Sequence, residues 1–206
     1  MRGLILPKMQ SKRSNIYFFY AVILGSIMLL GILIGALLIS ADAKISNKYL
    51  IFLINAFLQS HKSVSFTMLL SFSFLSGMII HILTLICGFS CVGAPFIAAI
   101  PFLRGMFMGC ISGYLYADMG IKGVLLNAIL FWLPQALQGM ALIVFASYAL
   151  DTSLSMFATC FLEPVQSIKT RLKLYVKSFI FTSLILFITA VFESLLSGLL
   201  AEVLIN

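Results

Sequence analysis

Arg104, Asn127, Gln135, Gln138 and Glu193 stand inside otherwise apolar runs of this 206-residue chain, and His81 stands in another. In hydrocarbon a buried cation costs a few kcal/mol on insertion scales, so it needs a partner or a wet cavity. Amides cost less, yet they too seek partners. Such residues could line a path for an ion or solute, or bind helices to one another. We favour the second role for Asn127, Gln135 and Gln138, and read His81 as a packed, hydrogen-bonded residue rather than a ligand. The four cysteines, Cys87, Cys91, Cys110 and Cys160, lie in or beside apolar runs and read as free, buried thiols. Cys87 and Cys91 could share a helix face, but no other soft ligand accompanies them, so neither zinc nor a structural disulfide is expected. There is no HExxH pair, no phosphate-cradling glycine loop and no GxSxG elbow. The sequence therefore argues against an enzyme and calls for no cofactor and no metal.

Composition sets the elements that must hold these residues. Hydrophobic residues make up 62% of the chain and charged ones 9%, with a mean hydropathy of +1.16. A soluble domain carries about 25% charge, so the expectation is an all-α, polytopic membrane protein, residues 1–206 forming one integral membrane domain. The net charge of +7 does not imply nucleic-acid binding. Eight of the thirteen basic residues flank apolar spans in two clusters: Arg2, Lys8, Lys12 and Arg13, then Lys169, Arg171, Lys173 and Lys177. By the positive-inside rule both clusters face the cytoplasm.

Five spans are expected, at about 16–40, 64–87, 92–116, 123–150 and 178–203. An even number then separates the basic clusters, which puts the N-terminus in the cytoplasm and the C-terminus outside. Between the first two spans, Ile45, Tyr49, Phe52, Leu53, Ala56 and Phe57 recur on one helical face opposite Lys44, Lys48, Asn55, Gln59 and Lys62. That pattern predicts an interfacial amphipathic helix. Pro95 and Pro101 open the third span, and the loop 117–122 is so short that spans three and four must be antiparallel neighbours. Pro134 should kink span four by removing a backbone hydrogen bond. From Asp151 the chain is expected to leave the membrane, the basic KTRLKLYVK stretch lying on the anionic inner leaflet.

Two glycine stripes interrupt the apolar surface. Gly31 and Gly35 form one; Gly105, Gly109 and Gly113, spaced every four residues, form another with Arg104 at its head. Bare stripes let helix backbones approach in lipid. The second stripe suits internal packing or a homodimer, and the first suits a partner's single membrane anchor. Arg104 and Glu193, on parallel spans, would differ by about 5 Å in depth, so we expect them to pair.

The stretch FLRGMFMGCISGYLYADMGIKG and the later LPQALQG resemble the stage II sporulation protein M family, most strongly over about 95–150. The likeness lies in an aromatic-Leu-basic-Gly step into a glycine-repeat span, followed by a span with Leu-Pro-Gln near its middle. It implies a plasma-membrane protein of endospore-forming bacteria, acting in engulfment of the forespore. Such a protein is a scaffold that holds two peptidoglycan-degrading partners, the stage II sporulation proteins D and P, at the septum. Pro134 and Gln135 match the Leu-Pro-Gln step of sporulation members. Wider relatives tend to carry Pro-His-Gly with a following Glu where Gln135, Ala136 and Gly139 stand here, so no role of that His or Glu carries over. The competing class is a transporter or channel subunit, or a permease-like partner of a separate ATPase, with Arg104, Asn127, Gln135 and Glu193 along a path.

Overall fold

The computed structural model describes residues 6–41, 66–161 and 168–205, all helical except the turn at 89–93. In lipid each backbone N–H and C=O must be satisfied within its own segment, and long apolar runs meet that demand as helices. We number them α1 (Leu6–Ala41), α2 (Phe66–Gly88), α3 (Ala94–Leu126), α4 (Leu133–Phe161) and α5 (Ile168–Ile205), with a π-helical stretch, Asn127–Trp132, between α3 and α4. All five α-helices are long and apolar enough to cross a membrane, over 15–39, 66–88, 94–117, 133–161 and 169–196. The expected interfacial helix falls almost wholly on 42–65, outside the described residues.

Two connections set the topology. The 89–93 turn is closed by Phe89 N–H to Ile86 O (3.2 Å), Ser90 N–H to Cys87 O (3.1 Å) and Gly93 N–H to Ser90 O (3.2 Å). Ser153 of α4 fastens it by donating to the Ser90 carbonyl at 2.8 Å. At the opposite end Gly120 adopts φ 56°, ψ −131°, a conformation open essentially to glycine alone. The chain reverses there, for Asn127 comes back to Ser112 and Tyr116.

Three boundaries differ from the sequence reading, and each has a physical reason. The fourth crossing begins at Leu133 rather than 123, because residues 121–132 are spent on the return from Gly120 and on the π stretch. Pro134 therefore sits at the start of α4, not in the middle of a span, and the irregularity expected of it takes the form of the π turn just before it. The fourth crossing also continues past Asp151 to Phe161, since Asp151 is paired with Arg171 and has no need of water. For the same reason KTRLKLYVK is not a separate surface helix. It forms the opening turns of the 38-residue α5, with Arg171 turned toward Asp151 and Tyr175 fully buried.

The most extensive helix pair is α1 with α3, while α4, the most enclosed crossing, touches all the others. Gly31 and Gly35 lie against the backbone of Phe102 and Met106; Gly105 and Gly109 lie against Met28 and Ile32. The two glycine stripes thus face each other. The surface expected to receive a partner's anchor is covered by α3, and the Gly105 stripe is used within the chain. Around α4 the core gathers Leu24, Ile97, Phe145, Ala146, Ala149 and Tyr175. Leu29, Leu33 and Leu37 of α1 remain exposed, as suits a lipid-facing ridge.

Candidate functional site

The polar residues singled out in the sequence converge on the middle of the bundle. Arg104 stands near the centre of the α3 crossing, and its Nη2 donates to Gln135 Oε1 at 3.1 Å and to Gln138 Oε1 at 2.6 Å. Those two glutamines are three residues apart on α4, so both side chains leave the same helix face. Gln138 is nearly fully buried and acts at both ends. Its carbonyl accepts from the arginine, while its Nε2 donates to Glu193 Oε2 at 3.1 Å. Ser73 of α2 donates to the same carboxylate oxygen at 2.5 Å. Arg104, Gln138, Glu193 and Ser73 thus join α3, α4, α5 and α2 in one chain of hydrogen bonds. Where direct pairing of Arg104 with Glu193 was expected, the structure links the two through the neutral amide of Gln138. A glutamine suits this bridge because one amide offers an acceptor to a cation and a donor to a carboxylate.

Asn127 belongs to a second cluster at the level of the π stretch, where its Nδ2 donates to Ser112 Oγ (3.0 Å) and Tyr116 Oη (2.9 Å). Pro134 is buried nearby. A cavity of about 20 Å³ lies between the clusters, lined by Phe107, Met108, Ile111, Ser112, Asn127, Trp132 and Gln135. That is about the room one water needs. His81 donates from Nδ1 to Gly77 O at 3.2 Å and stacks on Phe145, ring centroids 5.5 Å apart. Phe145 in turn stacks on Tyr175 at 5.3 Å. The site glycines contribute differently, by letting α1 reach α3. Gly113 ends their stripe, where an added Cβ would meet Ala36 and Ile39 less closely than at Gly105 or Gly109.

A third polar group lay beyond the sequence reading. Arg171 meets Asp151 at 2.5 Å and Ser155 Oγ at 2.7 Å, and Tyr17 donates to the other Asp151 oxygen at 3.3 Å. This cluster ties α1, α4 and α5 at the bundle end that carries the 89–93 turn. The overlooked signal was the lone Asp151 within an apolar run, twenty residues before the inward arginine. Tyr175 completes this end by donating to the carbonyls of Thr84 (3.1 Å) and Leu85 (3.0 Å). The thiols differ from expectation as well: Cys110 is buried, but Cys87 and Cys91 are only partly so and Cys160 is exposed.

Chemically, these clusters neutralise charge and fix helix positions. Among the described residues no group of three or more His, Cys, Asp or Glu could hold a metal. No curated protein and no solved structure matches the chain. The family model of stage II sporulation protein M matches residues 20–198, a family of sporulation-related membrane proteins that is not a known enzyme family. With that match running through all five crossing helices, this chain belongs to the stage II sporulation protein M family.

Proposed function

We propose that the protein is a non-enzymatic membrane scaffold that holds peptidoglycan-degrading enzymes at the septum during engulfment, with the stage II sporulation proteins D and P as its partners. The observation that carries this reading is the family match over 20–198. The interior supports it. The central polar residues are spent on one another, and the cavity beside them has room for about one water, as befits a rigid post. We take the bundle end where Tyr17 meets Asp151 and Arg171 as cytoplasmic and the C-terminus as outside, in a bacterial plasma membrane, because the basic openings of α1 (Lys8, Lys12, Arg13) and α5 adjoin that end. Because α3 covers the Gly31/Gly35 stripe, docking falls to lipid-facing ridges such as Leu29, Leu33 and Leu37, or to the outward amphipathic segment 41–63.

The test is co-purification from mildly solubilised membranes of sporulating cells. Recovery of a peptidoglycan hydrolase with the wild type, lost when Leu29, Leu33 and Leu37 are replaced together by alanine or when the apolar face of 41–63 is made polar, supports the scaffold. Recovery of an ATPase instead, or of no hydrolase, refutes it.

A further inference from the structure

The 89–93 turn and the last turn of α4 each present a thiol, and the two sulfurs face one another. Cys91 Sγ and Cys160 Sγ are 3.3 Å apart although 69 residues separate them in the chain. Neither is a core residue: Cys160 is exposed and Cys91 only half-buried. The contact is held from outside the thiols, because Ser153 fastens the same turn to the same helix through the Ser90 carbonyl. Two reduced cysteines brought into contact by a fixed turn, at the accessible end of the bundle, have what disulfide exchange requires: proximity and access for an oxidant. The other two thiols lack this. Cys110 is buried with its Sγ against the Gly35 carbonyl at 3.5 Å, and Cys87 has no sulfur partner among the described residues.

We propose that Cys91 and Cys160 are an oxidisable dithiol, a modification site at which hydrogen peroxide closes an intramolecular disulfide between the α2–α3 turn and the end of α4. The more exposed Cys160 attacks the peroxide as its thiolate. The O–O bond breaks, one oxygen leaves as water after taking a proton, and the other stays on sulfur as a sulfenic acid. Cys91 then attacks that sulfur, the S–S bond forms, and the second oxygen leaves as water. Two sulfurs have lost two electrons, one peroxide has gained them, and both thiol protons end in water. Closing the bond locks the α2–α3 hairpin to the segment that leads into the basic start of α5. A thiol reductant reverses it.

The experiment uses the full-length protein in isolated membranes, exposed to hydrogen peroxide and then denatured and labelled with a maleimide polymer that shifts the band once per free thiol. Of the four thiols in the wild type, two should be lost, and dithiothreitol should restore them. Peptide mass spectrometry should find Cys91 joined to Cys160 within one chain. Cys91→Ser and Cys160→Ser should each abolish the paired loss and the crosslinked peptide, Cys91→Ser losing at most the one thiol of Cys160 as its sulfenic acid, whereas Cys87→Ser and Cys110→Ser should leave the pair intact. Four thiols remaining after peroxide, a bond between two chains, or a bond to Cys87 or Cys110 would overturn the proposal. The crosslinked peptide is read in the wild type, so the test does not depend on any variant accumulating.

Discussion

Substituting one glycine at a time by alanine should produce losses graded by the geometry of the α1–α3 contact. A Cβ at Gly105 would enter the van der Waals envelope of the Met28 carbonyl oxygen and stand 3.1 Å from the Met28 carbonyl carbon. Gly31, Gly35 and Gly109 meet backbone atoms of the facing helix in the same way. Backbone cannot rotate aside as a side chain can, so the helices must part by about 1 Å, enough to forfeit a quarter to a half of each local dispersion well. Losing several close Cα–H···O contacts, each about 0.5–1 kcal/mol, together with overpacking strain, puts each substitution at about 2–4 kcal/mol. Gly113→Ala meets Ala36 O and Ile39 Cβ at 3.3 Å, a contact relieved by a few tenths of an ångström, and should lose less than about 1 kcal/mol. Gly25→Ala meets only Ile143 Cδ1 at 3.9 Å. It should be neutral or slightly stabilising, since alanine is the better helix former by about 1 kcal/mol. The assay is reversible denaturation in mixed micelles, read by helical circular dichroism. Equal losses at Gly25 and Gly105, or none at either, would show that the two stripes do not meet.

Four further outcomes follow from particular residues. Arg104→Ala should destabilise by about 3–5 kcal/mol by removing the buried positive charge that Gln138 links to Glu193, and adding Glu193→Gln should recover a large part; a double variant as weak as the single one would contradict the bridged network. Asp151→Asn should lose about 1–3 kcal/mol, less than a fully buried pair because Arg171 is partly exposed, measured in the same micelle titration. Gly120→Ala has open space around the new methyl, yet should lose about 1–3 kcal/mol from backbone strain alone, whereas Gly25→Ala in the same assay should not. The hydrogen bond to Cys160, and then burial, raise the Cys91 thiol above its usual range. With Cys91 held as the thiol, attack on peroxide falls to the Cys160 thiolate, so closure of the Cys91–Cys160 disulfide should accelerate as pH rises from about 7 to about 9; a rate independent of pH would exclude a thiolate from the slow step.

Much of this architecture was written in hydropathy and in glycine spacing. Five apolar runs became five helices because lipid leaves a backbone few other ways to satisfy itself, and the four-residue glycine spacing marked one side of the tightest contact. What spacing could not say is which stripe faces which: Gly31/Gly35 and Gly105/Gly109 are each competent to meet a foreign helix, and only the fold brings them together. The polar centre was legible as a set, since Arg104, Gln135, Gln138 and Glu193 all break apolar runs. Its wiring was not, because the bridging role of Gln138 depends on helix rotation. Asp151 misled the boundary of the fourth crossing for a related reason. A charge reads as solvent until its partner is known, and Arg171 lies in another helix.

The scaffold claim is tested most directly by photocrosslinking in living, sporulating cells, with a photoreactive amino acid placed at Leu33, exposed on α1, and at Met28, buried against α3 and α4. The account predicts that Leu33, another exposed position of α1 or the apolar face of 41–63 captures a peptidoglycan-degrading partner, identified by mass spectrometry, while Met28 forms adducts only within its own chain. If Leu33, every other exposed position of α1 and the apolar face of 41–63 give lipid adducts alone while engulfment proceeds normally, the protein does not hold these enzymes, and the scaffold claim is contradicted.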